Sequence, residues 1–121
     1  MSLRSGRQNG RVHVPRTLPF RGWVTWLTPE QGGRSSGPPR TPADKYYAAT
    51  AFVPPRTPGD GSASVVLRVR DRAAWSSSAA AGWLVVGNEG PHAVRPGSVL
   101  VVTEGPRVVA YFHVTDVLDT H

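Results

Sequence analysis

Residues 23–27 read Trp-Val-Thr-Trp-Leu, and residues 28–36 continue directly with Thr-Pro-Glu-Gln-Gly-Gly-Arg-Ser-Ser. Aromatic and β-branched side chains favour an extended strand. Paired glycines permit a positive φ or a close backbone approach, so they are typical of the turn that ends such a strand. Arg34 follows this turn, and its guanidinium can bind a phosphate or a carboxylate through two hydrogen bonds. The stretch therefore predicts a β-strand that ends in a recognition loop.

The rest of the chain consists of similar short extended runs separated by turn residues. Its 121 residues fit one domain, and 13 glycines with 12 prolines supply the turns that an all-β domain needs. We predict strands over residues 23–27, 45–53, 64–70, 83–86, 98–103 and 107–116. Closing the sheet removes the exposed edges of short strands. We therefore favour a barrel over a sandwich, and predict an all-β fold, a small six-stranded antiparallel Greek-key barrel.

The sequence also predicts the local structure of several segments of this barrel. Apolar and charged side chains alternate in residues 64–70, which indicates one core face and one largely wet face. Residues 98–116 are predicted to form a hairpin around a tight turn at residues 104–107. Residues 71–81 are predicted as a loop with at most one helical turn, because consecutive serines compete for backbone hydrogen bonds. His113 alternates with core-like residues, so we expect it to pack rather than to bind a ligand.

Positive charge is abundant and unevenly distributed. Thirteen arginines and one lysine stand against 8 acidic residues, which gives a net charge of +6. Such an excess favours binding to nucleic acid. Alternatively, the many arginines reflect only the codon usage of the genome and have no role in binding. Residues 1–19 hold four of the arginines and no apolar cluster, so we predict a flexible basic tail there and the barrel domain over residues 20–121. The tail is either a solubilising extension or an arm that contacts nucleic acid.

The sequence favours a soluble, cytoplasmic and non-catalytic protein. It has no cysteine, no apolar run of about 18 residues that could span a membrane, and no apolar signal segment near its start. The histidines lack the spacing of metal ligands, and neither the G-x-S-x-G nor the G-x-x-x-x-G-K-[ST] pattern occurs. We therefore expect no enzymatic activity, no metal, no cofactor, no bound nucleotide and no membrane partner.

Tryptophan supplies a second kind of binding signal. An exposed tryptophan beside basic residues can stack on the bases of single-stranded nucleic acid. Trp75 lies in sequence beside Arg70 and Arg72 and is predicted to be the exposed contact. Core packing is expected for Trp26 and Trp83.

Two separated segments resemble the third domain of elongation factor Tu, the C-terminal β-barrel of that translational GTPase. Residues 26–34 resemble the family's strand that ends in leucine and is followed by Ser or Thr, an acidic stretch and Gly-Gly-Arg. Residues 45–47 fall where the family has Gln-Phe-Tyr, and residues 95–109 are similar to its final hairpin with the sequence Arg-Glu-Gly-Gly-Arg. The resemblance covers residues 21–118 and implies a six-stranded antiparallel barrel.

The resemblance also implies an RNA surface. In elongation factor Tu, the Gly-Gly-Arg loop and the final hairpin form part of the face that grips the T stem of aminoacyl-tRNA. Carried over position by position, Arg34 contacts phosphate, Lys45 replaces a glutamine of that face, and Arg107 keeps the hairpin arginine. The implied RNA-binding residues are Arg34, Ser35, Ser36, Lys45, Glu104, Gly105 and Arg107.

The chain departs from the family pattern in both segments. Residues 35–38 replace the family's His-Thr-Pro-Phe, and Pro106 replaces the second hairpin glycine. The sequence also lacks a phosphate-binding loop, so the resemblance does not extend to nucleotide-driven delivery of aminoacyl-tRNA. From the residues alone, Arg34 could equally pair with Glu30 and hold the shape of the turn.

The favoured function is a stand-alone binding module for tRNA or other structured RNA. The alternative is a protein-interaction module that docks a translation factor or another protein, and a third possibility is a degenerate paralogue without a ligand. A continuous positive surface would favour RNA as the ligand. An exposed apolar patch with few basic groups would favour a protein partner.

Overall fold

Six antiparallel strands form a closed barrel within residues 18–41 and 45–118, the part of the chain that the computed structural model describes. In chain order they are β1 (Phe20–Trp26), β2 (Tyr47–Phe52), β3 (Ala63–Val69), β4 (Ser76–Trp83), β5 (Val99–Glu104) and β6 (Arg107–Val117). The prediction of an all-β, six-stranded antiparallel barrel is therefore confirmed. Residues 1–17 of the predicted basic tail lie outside the described residues.

The strands follow the order β1-β4-β3-β2-β5-β6, and β6 closes the barrel by pairing with β1. Three consecutive strands, β2 to β4, are neighbours and β1 lies beside β4, which is the Greek-key arrangement. Because β1 and β2 lie on opposite sides of the barrel, their connection passes over one of its ends. The connections at residues 70–75 and 105–106 lie at the same end, since neighbouring strands run antiparallel. We call this the loop end.

Alternating side chains of the strands fill the interior, as β3 illustrates. Val65, Leu67 and Val69 are 0%, 1% and 8% exposed, whereas Arg68 and Arg70 lie on the outer face and are exposed. The predicted alternation is thereby confirmed at these positions, whereas Val66, expected on the wet face, is only 2% exposed. The alternation fixes the register of β3, because a slip by one residue would bury the arginines and expose the core side chains.

Aromatic side chains at both ends of the barrel pack edge to face in the core. The rings of Phe20 and Trp83 are 6.3 Å apart, and those of Trp26 and Tyr47 are 5.2 Å apart with an interplanar angle of 89°. The expected core positions of Trp26 and Trp83 are therefore confirmed. The Trp26–Tyr47 pair places an aromatic cluster directly beneath the loop end.

The prediction of a loop over residues 71–81 is wrong, because β4 begins at Ser76 and continues to Trp83. The strand predicted at residues 83–86 is wrong as well, since only Trp83 belongs to the sheet. Serine and alanine have low strand preference on their own. Here β4 pairs with β1 on one edge and with β3 on the other, so both neighbours supply its backbone hydrogen bonds.

His113 is exposed, which corrects the expectation that it packs in the barrel. The alternation of β6 turns its neighbours Phe112 and Val114 inward, at 0% and 3% exposure, and turns His113 outward. The outer face of β6 is therefore wetter than its many apolar residues suggested.

The barrel packing also includes two residues of the predicted tail. Leu18 is 3% exposed, and a Cβ on Gly82 would lie 3.1 Å from Pro19 Cδ and 3.3 Å from Leu18 Cδ2. Short helical segments occur only in connections: Pro29–Gln31, Pro58–Gly61 and Gly90–His92 within the described residues. None of the helices in residues 18–41 and 45–118 is long and apolar enough to cross a bilayer.

Candidate nucleic-acid interface

The Gly-Gly-Arg loop and the final hairpin meet at the loop end. Arg34 Nε lies 2.9 Å from Glu104 Oε2, and Arg107 Nη1 donates to the Gly33 carbonyl over 3.5 Å. The backbone continues this contact, since Leu27 N donates to the carbonyl of Val109. Segments that are far apart in the sequence thus form one surface.

The loop holds its own shape through local hydrogen bonds. Thr28 N donates to Gln31 Oε1 and Gln31 N donates to Thr28 Oγ1, a reciprocal cap on the short helix Pro29–Gln31. Gly32 has a φ of 90°, in the left-handed region. At Gly33 an added Cβ would lie 2.2 Å from the Leu27 carbonyl oxygen. One glycine thus permits the turn and the other permits close contact with β1, so the position of Arg34 is fixed.

Arg34 ties the loop together instead of presenting a free guanidinium. Its Nη1 donates to the Gly37 carbonyl over 2.7 Å, and its side chain is 24% exposed. Its buried Nε makes no aligned hydrogen bond, so the contact with Glu104 is an ion pair. Within the described residues this is the only ion pair, and the alternative pairing of Arg34 with Glu30 does not form.

Glu104 also accepts a hydrogen bond from the hydroxyl of Tyr47. Tyr47 is 8% exposed and stacks edge to face on Trp26. Burial raises the pKa of Tyr47, and the hydrogen bond and negative charge of Glu104 raise it further, against a smaller opposing effect of Arg34. Glu104 therefore connects the core with both surface segments.

The other implied RNA-binding residues are more open to solvent. Ser35, Ser36, Lys45, Gly105 and Arg107 are all exposed. Lys45, just before β2, lines a small cavity together with Arg68 and Arg72. Of the implied RNA-binding residues, Arg34 and Glu104 thus pair with each other, and Arg107 contacts the Gly-Gly-Arg loop. Lys45 lies apart from them, beside two arginines of β3 and the connection that follows it.

Those arginines belong to a groove that the sequence did not reveal. It lies on the outer face of β1, β4 and β3, where Arg21, Arg68, Arg70 and Arg72 surround the small residues Ser78 and Ala80. We call it the outer groove. The alternation of Arg68 and Arg70 in the sequence indicated part of this surface. Arg21 joins it only because β4, which was predicted as a loop, lies between β1 and β3.

Trp75 borders the same end of the molecule. It is 44% exposed, as the sequence predicted. Its indole faces the loop, since a Cβ on Gly37 would lie 3.3 Å from the ring. In the described part of the chain, no group of three or more His, Asp or Glu residues is placed to hold a metal ion.

Comparison of the chain with protein-family models, with curated proteins and with solved structures gives no match.

Proposed function

We propose that this chain is a non-catalytic module that binds tRNA-like structured RNA at the loop end of its barrel. The contact between Arg34 and Glu104 carries the proposal, because it joins the two segments that resemble the third domain of elongation factor Tu into one surface. That resemblance implies that the corresponding surface grips an RNA helix.

The residues of this surface have different roles in the proposal. Arg34 and Glu104 neutralise each other and position the loop against the hairpin. Arg107 is exposed and uses one weak contact to Gly33, which leaves most of its five N–H donors for phosphate. The exposed hydroxyls of Ser35 and Ser36 suit contacts to phosphate or 2′-hydroxyl groups, through which proteins recognise A-form RNA.

Charge supports RNA as the ligand class. Neither Lys45 nor Arg107 forms an ion pair with another described residue, so both retain their charge for an external partner. Each phosphate that such a cation neutralises releases counterions, and binding then weakens as salt is raised.

The test is a titration with total tRNA at several salt concentrations. We expect Arg107→Ala to weaken binding several-fold and to reduce the slope of log K against log salt by about 1. Arg95→Ala is the matched control, because Arg95 is exposed in the connection from β4 to β5 at the opposite end of the barrel. Absence of binding at low salt, or an equal effect of the two substitutions, would overturn the proposal.

A protein partner is the second candidate, and exposed aromatic side chains favour it. Trp23 and Tyr111 are 48% and 37% exposed on the neighbouring strands β1 and β6. We would capture partners of the native protein and of Tyr111→Ala from a lysate treated with nuclease, and identify them by mass spectrometry. A translation protein that binds the native chain and is lost with Tyr111→Ala would support this candidate. Recovery of nucleic acid alone from an untreated lysate would count against it.

A further inference from the structure

The outer groove offers a binding surface separate from the contact between loop and hairpin. It is an open depression of about 630 Å³, within the range of volumes that accommodate ligands. Its shape follows from the strand register, since Ala80 on β4 faces Arg21 on β1 and Arg68 on β3. Long side chains on two strands thus stand on either side of small side chains on the strand between them.

The groove carries an excess of positive charge. Asp71 lies in sequence between Arg70 and Arg72, and Asp116 faces Arg21 across the ladder. Neither carboxylate comes within 4.0 Å of an arginine nitrogen in the described part of the chain, where Arg34 and Glu104 form the only ion pair. Four arginines with two carboxylates beside them therefore leave the depression with a net positive charge. The charge of such a surface is complementary to that of a polyanion.

Part of this surface is fixed in place. The guanidinium of Arg68 lies 5.3 Å from the centre of the Tyr46 ring, a cation–π contact. Arg68 lies in β3 and Arg70 directly follows its last residue, Val69. At the extended rise of about 3.2 to 3.4 Å per residue, their Cα atoms are about 6.4 to 6.8 Å apart. That spacing is comparable with the distance between successive phosphates of an extended nucleic-acid strand.

An aromatic platform lies beside the arginines. Trp23 is 48% exposed and faces Ser78 of the groove floor across the ladder. Its Nε1 donates to Ser76 Oγ, which anchors the indole to the neighbouring strand β4. A positive groove with an exposed aromatic side chain is the arrangement by which proteins bind unpaired strands, since phosphates follow the charge and bases stack on the ring.

We infer that the outer groove binds a single-stranded segment of RNA, with phosphates on Arg21, Arg68, Arg70 and Arg72 and a base stacked on Trp23. The choice of RNA over DNA rests on the proposed function, whereas recognition of an unpaired phosphodiester strand follows from the groove itself. The hydroxyl of Ser78 on the floor suits a 2′-hydroxyl contact.

The experiment measures fluorescence anisotropy of labelled oligouridylate of about 12 nucleotides, a length within the site sizes of β-barrel single-strand binders. We expect Arg70→Ala and Trp23→Ala each to weaken binding about fivefold or more, and Trp23→Phe to restore most of it. Arg95→Ala is the control for the loss of one exposed arginine. Circular dichroism melts establish that each variant is folded before it is compared.

The outcomes separate this inference from the proposed function. Arg107→Ala should weaken tRNA binding and leave oligouridylate binding unchanged, whereas Arg70→Ala should weaken oligouridylate binding. Failure of oligouridylate to bind at low salt, or equal effects of Arg70→Ala and Arg95→Ala, would overturn the groove site even if tRNA binds. Equal affinity for oligothymidylate would overturn the choice of RNA. Stronger competition by a fully paired RNA duplex would overturn the single-stranded ligand.

Discussion

The buried hydroxyl of Tyr47 donates a hydrogen bond to the carboxylate of Glu104, and this contact joins the start of β2 to the end of β5. The same Glu104 oxygen lies 2.9 Å from Arg34 Nε. One carboxylate thus connects the barrel core, the Gly-Gly-Arg loop and the final hairpin. Its position explains why Arg34, which the sequence suggested as a phosphate contact, stabilises the surface instead of pointing freely into solvent.

Glu104→Gln should therefore destabilise the protein. It removes the ion pair and leaves the buried Nε of Arg34 without a counter-charge, while the amide oxygen can still accept from Tyr47. Since both charged side chains are partly exposed, we expect a loss of about 1 to 2 kcal/mol in the free energy of unfolding. Urea denaturation measures it. Glu30 lies in the same loop and forms no ion pair with another described residue, so Glu30→Gln should change stability by less than about 0.5 kcal/mol. Equal losses would show that the ion pair does not stabilise the fold.

Alkaline pH should weaken the barrel through Tyr47. Its pKa in the folded protein is raised above 10.0 by burial and by Glu104, so the folded state retains the proton that the unfolded chain releases. This stabilisation is complete below about pH 10 and is lost as the pH rises further, by at most about 1.4 kcal/mol per pH unit. Denaturation curves between about pH 9 and pH 11 measure the loss. Tyr47→Phe should flatten the profile, whereas Tyr111→Phe should retain it; superimposable profiles for all three proteins would contradict this role.

The paired glycines should differ in their tolerance of alanine. At Gly33 a Cβ would overlap backbone atoms of Leu27, at 2.2 Å and 2.7 Å, which cannot move without disturbing β1. We expect Gly33→Ala to cost about 3 kcal/mol. At Gly32 the space is open but φ is +90°, so Gly32→Ala should cost only about 1 kcal/mol. Thermal and urea unfolding measure the loss of stability for each variant. A larger loss for Gly32→Ala than for Gly33→Ala would refute the assignment of close packing to Gly33 and of the turn to Gly32.

Local patterns were sufficient to predict much of the fold. The alternation of Val65, Leu67 and Val69 identified β3 and its inner face, because successive side chains of a strand point to opposite faces of the sheet. The turn at residues 104–107 was recognisable because residues that favour turns separate two apolar runs. These features depend on neighbours in the sequence, so no knowledge of tertiary contacts was needed.

The features that the sequence did not predict depend on tertiary neighbours. Residues 76–82 are serine, alanine and glycine, and they form a strand because β1 and β3 pair with both edges. Arg34 pairs with Glu104 and not with the nearby Glu30, since barrel closure brings the hairpin to the loop. The outer groove depends on the same missed strand, whose small side chains separate the arginines of β1 and β3.

Adjacent serines of β4 provide a direct test of that strand. Ser77 is 4% exposed; its Oγ accepts from the amide of Asp71 and donates to the carbonyl of Ser78, each over 2.9 Å. Ser77→Ala leaves the Asp71 amide without its partner, so we expect a loss of about 1 to 2 kcal/mol in unfolding free energy. Ser78 faces the outer groove, and Ser78→Ala should change stability by less than about 0.5 kcal/mol. Urea denaturation measures both losses. If these residues formed a loop, neither serine would be buried and the two substitutions would reduce the unfolding free energy equally. Equal losses would therefore refute the alternation of inward and outward side chains along β4.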